Sequence, residues 1–259
     1  MGKLKKNLDV CVAGIALVAL AVYEIFFAGK VAAEPLGGIL DGIITRALGA
    51  IVAAVAVEKA GYKVFNKCGL KAIIAVLPCF LAVCANPPLL GLLFGDAAFL
   101  YSGAELAAYI ALFFVECLLV GAFEELLFRG ILLPAVIERR AKKDKSAFWS
   151  VIISSAAFAL VHLFNLFTSS PTAVIMQVGY SFLLGGASCF VFLKTGNILP
   201  CVLLHALFNF CGGLVQTLGE GGWGGVPSAI IAVAVCVPVA VYVVAALLKT
   251  PVTARADEE

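Results

Sequence analysis

The 259 residues include only two histidines, and each lies in a long apolar stretch beside other polar groups. His162 closes Phe158-Ala159-Leu160-Val161-His162, and His205 opens His205-Ala206-Leu207-Phe208-Asn209. A third apolar stretch carries Glu124-Glu125-Leu126-Leu127-Phe128-Arg129. Two carboxylates, two imidazoles, a guanidinium and an amide are the parts of a hydrolytic site. A carboxylate or imidazole can take a proton from water, and N–H donors can hold a developing oxyanion. Ionisable groups at membrane depth are costly, so they read as functional by default.

Spacing divides the work. Adjacent helical residues point about 100° apart, so Glu124 and Glu125 have different neighbours. Glu125 and Arg129 are four apart and share a face, so they are expected to pair. Glu124 is then the freer carboxylate and the candidate general base. His162 is expected to meet Glu124 across a hairpin whose turn is the basic loop Arg139–Lys145. Both residues stand roughly 22–26 Å from that loop at about 1.5 Å per residue. Phe158, one turn before His162, would wall the pocket. His205 and Asn209 also share a face, which suits an oxyanion site or a polar contact between helices. The residues alone do not choose between the two histidines as partner of the base.

The elements that must position these groups are membrane helices. The chain is 63% hydrophobic and 13% charged, with a mean hydropathy of +1.10. Soluble domains run about 45–50% apolar and about 25% charged. The pattern predicts an all-α, polytopic transmembrane helix bundle over 1–259, a single integral membrane domain. Eight spans are expected, near 8–28, 37–57, 70–95, 104–137, 147–166, 173–193, 197–215 and 226–248. Asn86-Pro87-Pro88 should break the third or turn it into a re-entrant corner. Gly121, Gly130 and Pro134 allow a bend in the over-long fourth. The basic start followed by the apolar run Val10–Ala28 reads as a signal anchor.

Loop charge sets the orientation. Lys3, Lys5 and Lys6 precede span one, Lys59, Lys63, Lys67 and Lys71 follow span two, and Arg139, Arg140, Lys142, Lys143 and Lys145 follow span four. With Lys194, Lys249 and Arg255, fifteen of the eighteen cations fall on one side of an eight-span chain. The positive-inside rule then puts both termini in the cytosol. A net charge of +2, with the cations in loops, gives no reason to expect nucleic acid. The nine cysteines form no CxxC pair or zinc-spaced cluster and read as small hydrophobes. Asp41, Arg46, Glu24, Glu105 and Glu116 read as structural or interfacial, with Glu116 two turns before Glu124.

Glu-Glu-x-x-x-Arg, Phe-x-x-x-His and His-x-x-x-Asn, in that order on successive spans, resemble the CAAX protease and bacteriocin-processing family of intramembrane endopeptidases, also called the Abi family. The resemblance covers about residues 110–215, the expected catalytic core, with no departure at the motif positions. Phe128-Arg129-Gly130 and Asn165 also resemble bacterial members. Spans one to three and span eight carry no family signature.

The resemblance implies that Glu124 and His162 activate a water for peptide hydrolysis. It implies that His205 and Asn209 form the oxyanion hole, and that Glu125 and Arg129, with Phe158, shape the site. It also implies a membrane-associated peptide substrate, a CAAX-type tail that may carry a prenyl group or a leader peptide, and a multi-pass place in a bacterial plasma membrane. On metal, Glu124, His162 and His205 offer a three-ligand zinc set with an open fourth position, a metalloprotease arrangement. The resemblance favours a glutamate-activated water with no cofactor required. Two other classes stay open: a non-catalytic bacteriocin self-immunity protein that acts by binding, and a small transporter using the same buried groups.

Overall fold

A computed structural model describes residues 35–140, 145–222 and 224–249. The expected span at 8–28 and the tail 250–259 lie outside the described residues. The described helices are α1 (Leu36–Ala60), α2 (Leu70–Cys84), α3 (Pro87–Leu93), α4 (Gly103–Leu127), α5 (Leu133–Arg140), α6 (Ser146–Val161), α7 (Pro171–Thr195), α8 (Ile198–Leu218) and α9 (Gly225–Lys249). Six helical runs are long and apolar enough to cross a membrane, and α2 with α3 makes up to seven. The molecule is a polytopic helix bundle and an integral, multi-pass membrane protein.

The outside of the bundle is apolar, as lipid requires. Leu40, Ile44, Leu48, Ile51 and Val55 form an exposed stripe along α1. Inside lie Val57, Leu126, Leu133, Phe158, Leu184, Phe190 and Leu204. Helix α8 runs through this interior. It packs on α4, α7, α2 and α3, while α4 also packs on α1, and α6 packs on α7.

Two expectations about the spans are refined. The third is two helices bent by 66° at Asn86-Pro87-Pro88. Neither proline has a backbone N–H, and Asn86, before Pro87, is pushed into extended geometry with φ −84° and ψ 128°. The fourth runs unbroken from Gly103 to Arg140, 38 residues. It contains a π-helical turn at Phe128–Leu132 where a bend was expected. At about 1.5 Å per residue it is far longer than the roughly 30 Å hydrocarbon layer, so its charged end projects from it.

The two ends of the bundle differ. At one end Ala97–Phe99 and Gly219–Gly221 pair as short antiparallel strands, a departure from pure helix. At the other, the segment after α1, the end of α5 and the turn between α7 and α8 meet. Ile198 N–H donates to Val64 O at 2.7 Å, Asn197 Nδ2 to Asn66 O at 2.8 Å, and Tyr62 Oη to Glu138 Oε2 at 3.2 Å.

Candidate functional site

The site is built where α4 crosses α8. A Cβ on Gly121 would stand 2.8 Å from the carbonyl oxygen of Val202 and 3.4 Å from the Cβ of His205. Only a glycine lets the two helices approach this closely. One turn further along α4, Glu125 therefore lies directly against α8. His205 Nδ1 is 2.8 Å from Glu125 Oε1, and the same oxygen accepts from Arg129 Nη1 at 3.0 Å. Glu125 and Arg129 are wholly buried and His205 is 3% exposed. The i,i+4 pairing expected of Glu125 and Arg129 is present. The link to His205, 80 residues away, was not legible in the spacing.

Arg129 sits in the π-helical turn, a device frequent at functional sites. The turn carries the guanidinium towards α7, where Nη2 donates to Gly185 O at 2.9 Å. Gly185 is itself a point of close approach, since its Cβ would lie 3.1 Å from the Cα of Ser155. The guanidinium carbon lies 4.7 Å from the centre of the Phe158 ring. A charge this deep is tolerable only with such partners.

Glu124 is different. Its side chain is 19% exposed, and Oε2 lies 3.7 Å from His205 Nε2. That is too long for a direct hydrogen bond. If Nδ1 gives its proton to Glu125, the other ring nitrogen faces Glu124. Among the described residues Glu124 has no other ion-pair neighbour, so its side chain keeps most of its acceptor capacity.

His162 lies at the end of its helix. Helix α6 ends at Val161, and His162 opens a 3₁₀ segment, His162–Phe167. Its Nδ1 lies 2.9 Å from Phe158 O. Among the described residues no ion pair joins it to Glu124. The histidine within 4 Å of Glu124 is His205, not His162. Phe158 intervenes: its ring is 5.2 Å from the His162 ring and 5.7 Å from that of His205, edge-on to both. This ring, 1% exposed, also meets Phe128 at 5.0 Å and forms the wall expected of it. Asn209, half-buried one turn beyond His205, has no side-chain hydrogen bond to a described residue. Asn165 Nδ2 donates to Gln177 Oε1 at 2.8 Å and ties the 3₁₀ segment to α7.

The three-ligand zinc expectation names Glu124, His162 and His205. Among the described residues no three His, Cys, Asp or Glu side chains are grouped to hold a metal ion. Nδ1 of His205 faces Glu125 and Nδ1 of His162 faces Phe158 O, contacts that leave each Nε2 uncommitted.

Gly121 was read only as a point where the helix could bend, and Gly185 was not singled out; neither carries chemistry of its own. Their signal is position: Gly121 is one turn before Glu125, and Gly185 lies on the helix that receives Arg129. Asn86 was read only as a helix breaker. Its side chain also reaches α8, where Nδ2 lies 3.5 Å from Phe208 O, beside Asn209.

No curated protein significantly matches the chain. Residues 106–211, from early α4 to Cys211 on α8, match the model of the family described as "Type II CAAX prenyl endopeptidase Rce1-like". That segment holds all three polar motifs and the helices that cross at Gly121, and over it the chain is similar to the CAAX protease family.

Proposed function

We propose that the protein is an intramembrane endopeptidase in which Glu124 activates a water against a peptide carbonyl. One observation carries this reading. Of the two adjacent carboxylates, Glu125 is committed to Arg129 and His205, while Glu124 is partly exposed and only 3.7 Å from an imidazole nitrogen. One is a buried anchor, and the other is free to exchange a proton.

In this mechanism Glu124 takes a proton from water as its oxygen attacks the carbonyl carbon. His162, across the Phe158 wall, helps orient that water. The tetrahedral oxyanion is met by the Asn209 amide, and by His205 Nε2–H when the ring carries both protons. Glu124 then returns its proton to the leaving amine as the C–N bond breaks. Arg129 and Glu125 hold His205 in place throughout. These roles use side chains alone and need no cofactor.

The substrate class proposed is a membrane-associated peptide, a CAAX-type tail with or without a prenyl group or a leader peptide. The proposed setting is a bacterial plasma membrane with the cation-bearing loops in the cytosol. The test is cleavage by the purified, reconstituted protein of a fluorogenic prenylated CAAX peptide and an unprenylated leader-type peptide. Glu124→Ala is run alongside. Cleavage by the wild type and not by the variant supports the reading, and the preferred peptide names the substrate class. Equal behaviour of wild type and Glu124→Ala, in cleavage and in cells, would sink it in favour of a binding role.

A further inference from the structure

Helix α6 carries a line of hydroxyls where it packs between α7 and the π-helical end of α4. Ser146, Ser150 and Ser154 recur every fourth residue on α6 and so share a face. Ser155 adjoins them, and Ser188 belongs to α7. All five are buried, with exposures of 6, 0, 0, 1 and 0% for Ser146, Ser150, Ser154, Ser155 and Ser188. Ser154 donates weakly to Phe128 O at 3.4 Å. The hydroxyls of Ser146, Ser150, Ser155 and Ser188 have no hydrogen-bond partner.

Charged groups stand at both ends of this line with the same property. At the inner end, Glu125 Oε2 and Arg129 Nε are buried and unpartnered. Arg129 reaches this line, because its Nη2 bonds to Gly185 O where Gly185 packs on Ser155. At the loop end, Arg140 Nε is buried and unpartnered too. Among the described residues these seven are all the buried side-chain polar atoms without a partner. They belong to one region and not to the bundle at large. Native proteins leave few such groups unsatisfied, and ordered water is the usual partner where protein atoms supply none.

We propose that the serine line of α6, between α7 and the π-helical turn, binds a file of water running from Arg140 and Ser146 to the Glu125–Arg129 pair. The chemistry selects water. Glu125 Oε2 needs a donor, Arg129 Nε needs an acceptor, and the serines between them serve as either. The spacing agrees. Four helical residues rise about 6 Å, more than one bent water bridge of two bonds of about 2.8 Å spans, so two waters link successive hydroxyls. Ser188 is available from the opposite wall. On the endopeptidase reading, the file connects the carboxylate that anchors His205 to the end of the bundle where the segment after α1, the end of α5 and the turn between α7 and α8 meet. It gives the site a proton-exchange route through Glu125 and His205.

The test is hydroxyl-radical footprinting of the full chain in lipid nanodiscs, with radicals made from water inside the protein as well as outside it. Cys189 and Val151 adjoin the serines and are 0 and 3% exposed, so only internal water can deliver radicals to them. Wild type is expected to be oxidised at both, at rates approaching that of half-exposed Tyr62. The double variant Ser150→Ala/Ser188→Ala removes two oxygens and adds no volume. It is expected to lose this oxidation severalfold, with Tyr62 unchanged. Absence of oxidation at Cys189 and Val151 in wild type would overturn the proposal, as would equal oxidation in the variant. Peptide cleavage is not the readout, so loss of the endopeptidase reading and loss of the water file are distinguishable.

Discussion

Two helices of the bundle, α8 and α9, are both apolar and long enough to span a membrane, yet they are held in opposite ways. Helix α8 buries nine of its 21 residues, and His205 on it contacts two carboxylates of α4 across a glycine. Helix α9 lies at the edge, and only Ser228, Val243 and Leu247 are buried along its 25 residues. Its polar ties are slight: Tyr242 Oη to Ala75 O at 2.9 Å and Cys236 Sγ to Ala82 O at 3.6 Å. Lipid tails are as apolar as leucine, so burial does not favour one helix over the other. What distinguishes them is close approach and polar contact, and the candidate site lies where both are concentrated.

The sharpest test of that contrast is chemical. Glu124→Ala is expected to lower peptide cleavage by about 10²–10⁴-fold, the range for a positioned acid–base group, with protein abundance unchanged. Truncating Val233 to Ala on the exposed face of α9 is expected to leave cleavage within twofold of wild type, an order-of-magnitude allowance for surface change. If Val233→Ala were as damaging as Glu124→Ala, the division of the bundle into site and edge would fail.

The second test is structural. Arg129→Ala leaves Glu125 buried beside His205 without its cation, and breaking a buried pair costs about 3–5 kcal/mol. Thermal unfolding in detergent is the measurement, and a clearly lowered midpoint is expected. Arg129→Lys should recover little. A lysine cannot reach Glu125 and Gly185 O together with the planar fork that the structure uses. A full recovery by lysine would show that charge alone, without fork geometry, anchors the site.

The third test separates position from chemistry. Gly121→Ala adds a methyl group 2.8 Å from the Val202 carbonyl oxygen, so α4 and α8 must part. Overpacking of this kind costs about 1–3 kcal/mol. Because His205 rides on the displaced helix, kcat is expected to fall by about tenfold or more while KM changes little. Gly179, with open space at its Cβ, is the control and should accept alanine silently.

These expectations show which parts of the molecule could be read from residues alone. The Glu125–Arg129 pair was legible because helix geometry fixes i,i+4 neighbours. The corner at Asn86-Pro87-Pro88 was legible because proline constrains its own backbone. Phe158 was legible as a wall because it precedes His162 by one turn. The partner of Glu124 was not, because it depends on which helices cross and how closely. Two glycines decide that, together with a π-helical turn that re-aims Arg129. Matching depth along a hairpin favoured His162. The structure ends α6 at Val161, turns His162 into a 3₁₀ segment, and brings His205 to the carboxylates from α8.

The smallest effect lies at the loop end, where the helices are tied by ordinary polar contacts. Tyr62, in the loop after α1, donates to Glu138, and burial with the nearby Glu138 charge pushes its phenol above the usual range. The sign follows from linkage. The native state holds the phenolic proton more tightly than the unfolded chain does, so the contribution is complete below the unfolded pKa of about 10. It is lost as pH rises through the native value. The unfolding midpoint is therefore expected to include a Tyr62-dependent decline above about pH 10, and Tyr62→Phe should remove that part of the slope alone. Cleavage at neutral pH should be unchanged by Tyr62→Phe, since the bond lies outside the α4–α8 crossing. A loss of activity there would mean that the loop end and the crossing act as one unit, and the contrast between anchored and peripheral regions would have to be redrawn.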